Sequence, residues 1–263
     1  MNDQRSSGGP AWQVEGVRLT AFPVRLETTA HRDWWSAITG EPADEETERP
    51  RANEWRASGV ADIPGVGQGA LTLRIDPTRI DWLLQPVRSM ELGSDFLTAN
   101  LGPPRPTLEH FVRLMTPWLQ MHPAPIQRLA LGSTLTMPVT DRAEGAAILS
   151  SMLRFEVDAN STDFLYRVNR PEPSIVLETG ASLNRLATWS LIQVETVLLA
   201  VTPHASADRI VRPDAGPFHA CRLELDVNTP ADRRDPLPDE RLLEIAAELA
   251  EASSSFAERG DRT

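Results

Sequence analysis

The chain has 263 residues, 41% of them hydrophobic and 24% charged, a balance that excludes a disordered or fibrous polypeptide and predicts a globular one able to bury a sizeable core. Its formal net charge of -11 repels phosphate backbones and argues against a nucleic-acid partner. The first thirty residues lack an apolar run of signal-peptide length, and the most apolar later stretch, Trp189 to Val201, is interrupted by Gln193 and Glu195, so a cytoplasmic protein without a membrane span is expected.

In chain order, residues 1–10 (MNDQRSSGGP) read as a polar tail. An N-terminal half over 11–102 follows. Trp12 to Glu27 alternates as strand, with Pro23 demoting part of it to an edge or bulge. His31 to Gly40 predicts a short helix with Gly40 at its end. Glu41 to Arg51 (EPADEETERPR), rich in carboxylates and bounded by prolines, reads as a solvated loop. Asn53 to Ile63 and Gly69 to Ile75 predict strands joined through the Pro64 to Gly69 turn, and Asp76-Pro77 marks a turn before a segment from Arg79 to Leu84. The stretch from Gln85 to Pro106 has little periodicity and is the expected joint between two halves.

The C-terminal half, 103–260, opens with a helix over Thr107 to Met121, kinked at Pro117. Ile126 to Pro138 predicts a strand, and Asp141 with Glu144 predicts a capping box opening a helix through Leu153. Strands are predicted at Thr162 to Val168, Ser174 to Asn184 and Ala187 to Thr202, the last two as a hairpin. His219 to Asn228 gives the cleanest alternation, Cys221, Leu223, Leu225 and Val227 on one face and Arg222, Glu224 and Asp226 on the other. From Asp239 a long amphipathic helix runs to Gly260. The fold class read from this order is α+β: a largely antiparallel sheet covered by a few helices, with a closing C-terminal helix. Helix plus meander occurs in each half, which suggests two related halves, although no sequence period accompanies it.

Several segments resemble a sporadically distributed bacterial family of conserved proteins of unknown function and about this chain's length. They are AFPVRLE, the hairpin GALTLRIDPTRIDWLLQP, the central RLALGSTLTMPVTD, and the ending HACRLELDVNT followed by LPDERLLEIAAELAEASSSFAER. The chain departs from the pattern where Asp81 precedes Trp82, the family having Asn there, and where the central strand lacks an aromatic and Asn after its Gly. The patchy occurrence of such proteins implies a regulatory, antitoxin-like or defence-accessory setting.

Motifs that carry chemistry are sparse. His31, His110, His122, His204 and His219 never fall at the spacing by which one helix presents two metal ligands, so no metal and no cofactor is expected. Cys221 sits on a core-facing register, without an activating neighbour. Gly180-Ala-Ser182 reads as a turn rather than a nucleophile elbow. Pro64 to Gly69 (PGVGQG) reads as a hairpin loop rather than a phosphate cradle, since it leads into a strand. Asp76 and Asp81 are explained by pairing with Arg74 and Arg79. Glu224 and Asp226 share one strand face, which suits a solvated surface, a pair of acids or a hard cation.

All 26 basic residues are arginine, and there are seven Trp against one Tyr. Trp34 and Trp35 are adjacent on a predicted helix and point about 100° apart, so they cannot both face one core: the second is either exposed or packed under the acidic loop. Together with Trp55, Arg74, Arg79 and Trp82 they form the candidate partner-binding patch. The leading expectation is therefore a non-enzymatic protein that binds a protein partner or a second copy of itself as a homodimer. The rival is an enzyme or small-ligand sensor with a pocket where the halves meet, using residues such as Arg74, Asp81, His110 and Glu224.

Overall fold

A computed structural model describes residues 11–26, 31–87, 99–121, 124–194, 198–200, 209–211, 217–233 and 235–262; the expected 1–10 tail lies outside them. Up to residue 121 the chain holds β1 (Gln13–Pro23), α1 (His31–Thr39), β2 (Glu45–Arg49), β3 (Glu54–Ile63), β4 (Gly67–Asp76), β5 (Arg79–Pro86), α2 (Pro104–Leu114) and α3 (Thr116–Gln120), the last two falling within the expected 103–260 half. The C-terminal half holds β6 (Ile126–Val139), α4 (Arg142–Met152), β7 (Leu165–Asn169), β8 (Glu172–Pro173), β9 (Ser182–Val194), β10 (Leu198–Ala200), β11 (Arg209–Val211), β12 (Phe218–Asn228) and α5 (Leu242–Arg259).

The α+β class is as expected. One antiparallel sheet runs β2-β3-β4-β5-β1-β6-β12-β9-β7, with β8 also on β9, and β10-β11 form a separate ribbon. Its two sides meet at the β1/β6 pair. On each side the chain lays down a strand, crosses through a helix, builds a meander whose last strand returns beside the first, and adds a further helix. β5 returns to β1 and β12 returns to β6. The two sides thus follow similar paths about the central pair, β2, β3, β4 and β5 beyond β1 and β7, β9 and β12 beyond β6, without sharing a sequence period.

Alternation decides the layers. Val17, Leu19 and Ala21 of β1, Leu71, Leu73 and Ile75 of β4, Leu129, Leu131 and Leu135 of β6, and Leu223, Leu225 and Val227 of β12 are all buried on one face. The helices close that face. α5 lies over β6 and β12, α4 over β12 and β9, and α2 over β1 and β3. The C-terminal helix therefore covers its own sheet. A strap finishes the layer, in which Gly260 takes φ 69 and the Asp261 amide donates to the Met152 carbonyl at 2.9 Å. There Asp261 accepts from Arg170 at 2.6 and 2.9 Å and from the Tyr166 hydroxyl at 2.9 Å. Among the described residues no helix is long and apolar enough to cross a membrane.

Local signals behave as their chemistry dictates at most junctions. The Asp141 side chain accepts from the Glu144 amide at 2.9 Å, while Glu144 reaches back one residue further than a capping box requires, to the Thr140 amide and hydroxyl. Pro117 divides the expected single helix into α2 and α3 at Met115. Two segments differ from expectation. The acidic stretch read as a loop contains β2, an exposed edge strand with no further strand on its outer side among the described residues. The hairpin expected between Ser174 to Asn184 and Ala187 to Thr202 is replaced by β9, which runs through both, and the short β10, because Ser174 and Glu178 close turns before β9. β9 pairs along its length with β12 on one side and with β7 on the other.

Candidate functional site

Trp34, Trp35, Trp55 and Trp82 are 2%, 3%, 5% and 0% exposed, so the packed alternative holds for α1 and the expected patch of these tryptophans is corrected. The reason is that α1 meets two buried surfaces at once. Trp34 lies edge-on to Trp118 of α3, with ring centroids 6.4 Å apart, while Trp35 stacks on Trp82 of β5 at 6.1 Å. Trp118 and Trp82 complete the chain at 6.0 Å. Neighbours 100° apart can both be core when a helix is wedged between a sheet and another helix. The four indoles thus build the N-terminal half rather than present a patch.

The two arginines of that patch lie on the other face of the sheet, the one no described helix covers. Arg79 is held by Asp76 at 3.1 Å and Asp81 at 3.0 Å. Asp76 has its acidity increased: burial opposes ionisation, but the Thr78 amide and hydroxyl and then Arg79 outweigh it and set the carboxyl below its ordinary value. Asp81, itself buried, also accepts from the Thr20 hydroxyl at 2.6 Å. Arg74 is bound to Glu54 at 2.5 Å. Arg79 thus makes the pairing expected with Asp76 and Asp81, whereas the ion pair of Arg74 goes to Glu54 instead.

On the open face a groove lies across the seam between the halves. With a volume of about 660 Å³, it crosses β5, β1, β6, β12, β9 and β7. Strand register builds its rows. Arg18 of β1 stands opposite Gly132 of β6, which stands opposite Asp226 of β12. With no side chain at Gly132, the Arg18 guanidinium lies low over the backbone, 3.6 Å from where a Cβ would be. The next row aligns Thr134, Glu224, Thr188 and Arg167. Arg222 completes the floor between Glu224 at 3.1 Å and Glu15 at 3.7 Å. One end, at Ile192, Val194 and Phe218, is apolar.

Chemically this is a wet surface with both signs of charge interleaved, bounded by an apolar end. Of the residues named for a pocket between the halves, only Glu224 lines the groove, and Asp81 reaches it indirectly through Arg18, 3.9 Å away. Arg74 lies further out on β4. His110 is on the helical side, its Nδ1 2.5 Å from the Pro106 carbonyl and its ring packed on Gly65. His31, His122 and His204 fall outside the described side chains. Cys221 is buried, and burial pushes its thiol up to about 12, with Glu144 adding to the effect, so the thiolate is scarce at neutral pH. Among the described residues no group of three or more His, Cys, Asp or Glu is arranged to hold a metal.

Glu15, Arg18 and Arg167 were not singled out by sequence. Their alternation was readable, but which strands become neighbours is set by topology and not by any local signal. No family model, curated protein or solved structure matches the chain.

Proposed function

We propose that the chain is a non-enzymatic binding protein that engages a protein partner across the uncovered face of its sheet. The observation that carries this reading is the contrast of the two faces: helices pack on one, while among the described residues the other leaves the groove over the β1/β6 seam open. A large, rigid, mixed-charge surface with an apolar end suits a protein epitope, where charge arrangement selects the partner and fixes its register. The family resemblance supports a regulatory, antitoxin-like or defence-accessory setting for that partner.

The test is a charge reversal on the groove floor. A protein partner captured from the native cells should lose at least tenfold in affinity for Arg18→Glu and Arg222→Glu, with both variants melting normally. Unchanged affinity for both would overturn the reading. A second reading, a small-ligand pocket, is favoured by the position of the groove where the halves meet. It predicts that a metabolite alone raises the melting temperature by several degrees and that Thr134→Trp, which fills the groove, abolishes the rise.

A further inference from the structure

A second cavity on the open face, of about 230 Å³, lies at the β2-β3-β4 end and is lined by Thr47, Arg49, Glu54, Trp55, Arg56 and Arg74. The β3/β4 register puts Arg56 directly opposite Arg74, and the β2/β3 register puts Thr47 opposite Arg56. Arg49, two residues along β2 from Thr47, shares the same face. Like charges directly opposite each other across strands destabilise a sheet. Among the described residues the carboxylate in direct ion pairs with them is Glu54, 2.5 Å from Arg74 and 3.5 Å from Arg49. Arg56 makes no ion pair among the described residues. On a chain of net charge -11, this cavity carries an excess of two positive charges.

We propose that Arg49, Arg56 and Arg74 form a subsite for a phosphate dianion, free or carried on a small monoester. The match is one of charge and geometry. A phosphate monoester carries about -1.5 to -2 near neutral pH and three strong acceptor oxygens, whereas a carboxylate supplies half the charge and one bidentate edge. Guanidinium forks on adjacent strands can each donate two N–H groups to such an anion. Bound there, the dianion removes the Arg56/Arg74 repulsion that Glu54 leaves standing. The volume admits the phosphoryl group and a small organic substituent. The site stands apart from the groove over β1/β6, so its fate is independent of the protein-binding reading.

The test is calorimetric titration of the full chain with inorganic phosphate and with glycerol phosphate at low ionic strength. Saturable binding is expected, weakened at least tenfold in Arg56→Ala and in Arg49→Ala, and unaffected in Arg167→Ala on the far side of the sheet. Affinity should rise as pH increases through about 6 to 7, where the second phosphate proton leaves, while sulfate stays flat. Tighter glycerol phosphate identifies a monoester as the ligand, and equal affinity identifies free phosphate. Arg56 is exposed, and Arg56→Ala without ligand should melt no lower than the wild type. No saturable binding at millimolar phosphate, or equal loss in Arg167→Ala, would overturn the proposal.

Discussion

The two faces of the sheet use the same alternating strands to opposite ends. On the covered face the side chains are aliphatic and indole: Trp82 touches Trp35 and Trp118, and Trp189 meets Trp12 at 5.9 Å and Phe256 at 6.3 Å. On the open face the same strands carry Arg18, Arg74, Asp81, Arg222 and Glu224, held in ion pairs and a hydroxyl contact. Burial of large apolar side chains supplies the stability, while half-exposed ion pairs contribute little. The open face is thus free to be specified by something other than folding, and substitutions there need not affect stability.

That contrast can be broken most forcefully at Trp82. Trp82→Ala removes a fully buried indole and should cost about 3 to 5 kcal/mol, read by denaturant unfolding. Loss of under about 1 kcal/mol would mean that the indole stack is not the core of the N-terminal half. The C-terminal strap is next. A Cβ at Gly260 would lie 2.4 Å from the Met152 carbonyl oxygen at a φ of 69, so Gly260→Ala should lower stability by about 2 to 3 kcal/mol. An unchanged melting temperature would show that the strap adds nothing to the covered layer.

Acid sharpens the comparison further. Burial works against ionised Asp261, yet its hydrogen bonds from Arg170 and Tyr166 prevail and hold its carboxyl below the ordinary value. Folding then favours the ionised form. This contribution is complete above about pH 4, the unfolded carboxylate value, and is lost as pH falls through the lower folded value. Asp261→Asn should therefore lower stability at neutral pH by about 2 kcal/mol and flatten the acid limb of the stability curve. A variant with the wild-type acid limb would contradict this. Smallest of all, Thr134→Ala in the open groove should change stability by no more than about 0.5 kcal/mol.

Much of the fold was legible because its signals are local. The alternation of His219 to Asn228, the proline break at Pro117 and the cap at Asp141 each depend on a few consecutive residues. β2 was hidden, since an edge strand exposed on both faces has no apolar alternation to reveal it. β9 was misread because the cues around Ser174 and Glu178 belong to turns that lead into the strand. The site was less legible. Arg222, Glu224 and Asp226 were correctly placed on one polar face, but nothing local says that Arg18 and Arg167 lie on the strands beside them. The tryptophans misled for a related reason: adjacency on a helix implies exposure only when one surface covers that helix, and α1 has two.

The central claim, that the open face is the binding surface, is tested most directly by site-specific photo-cross-linking in the native cells. A photoreactive residue is placed in turn at Thr134 and Thr188 in the groove, and at Glu240 and Glu251 on the helical side. Cross-links to one protein from the groove positions, and none from the helical side, are the predicted result. The same protein captured only from Glu240 or Glu251 would contradict the account.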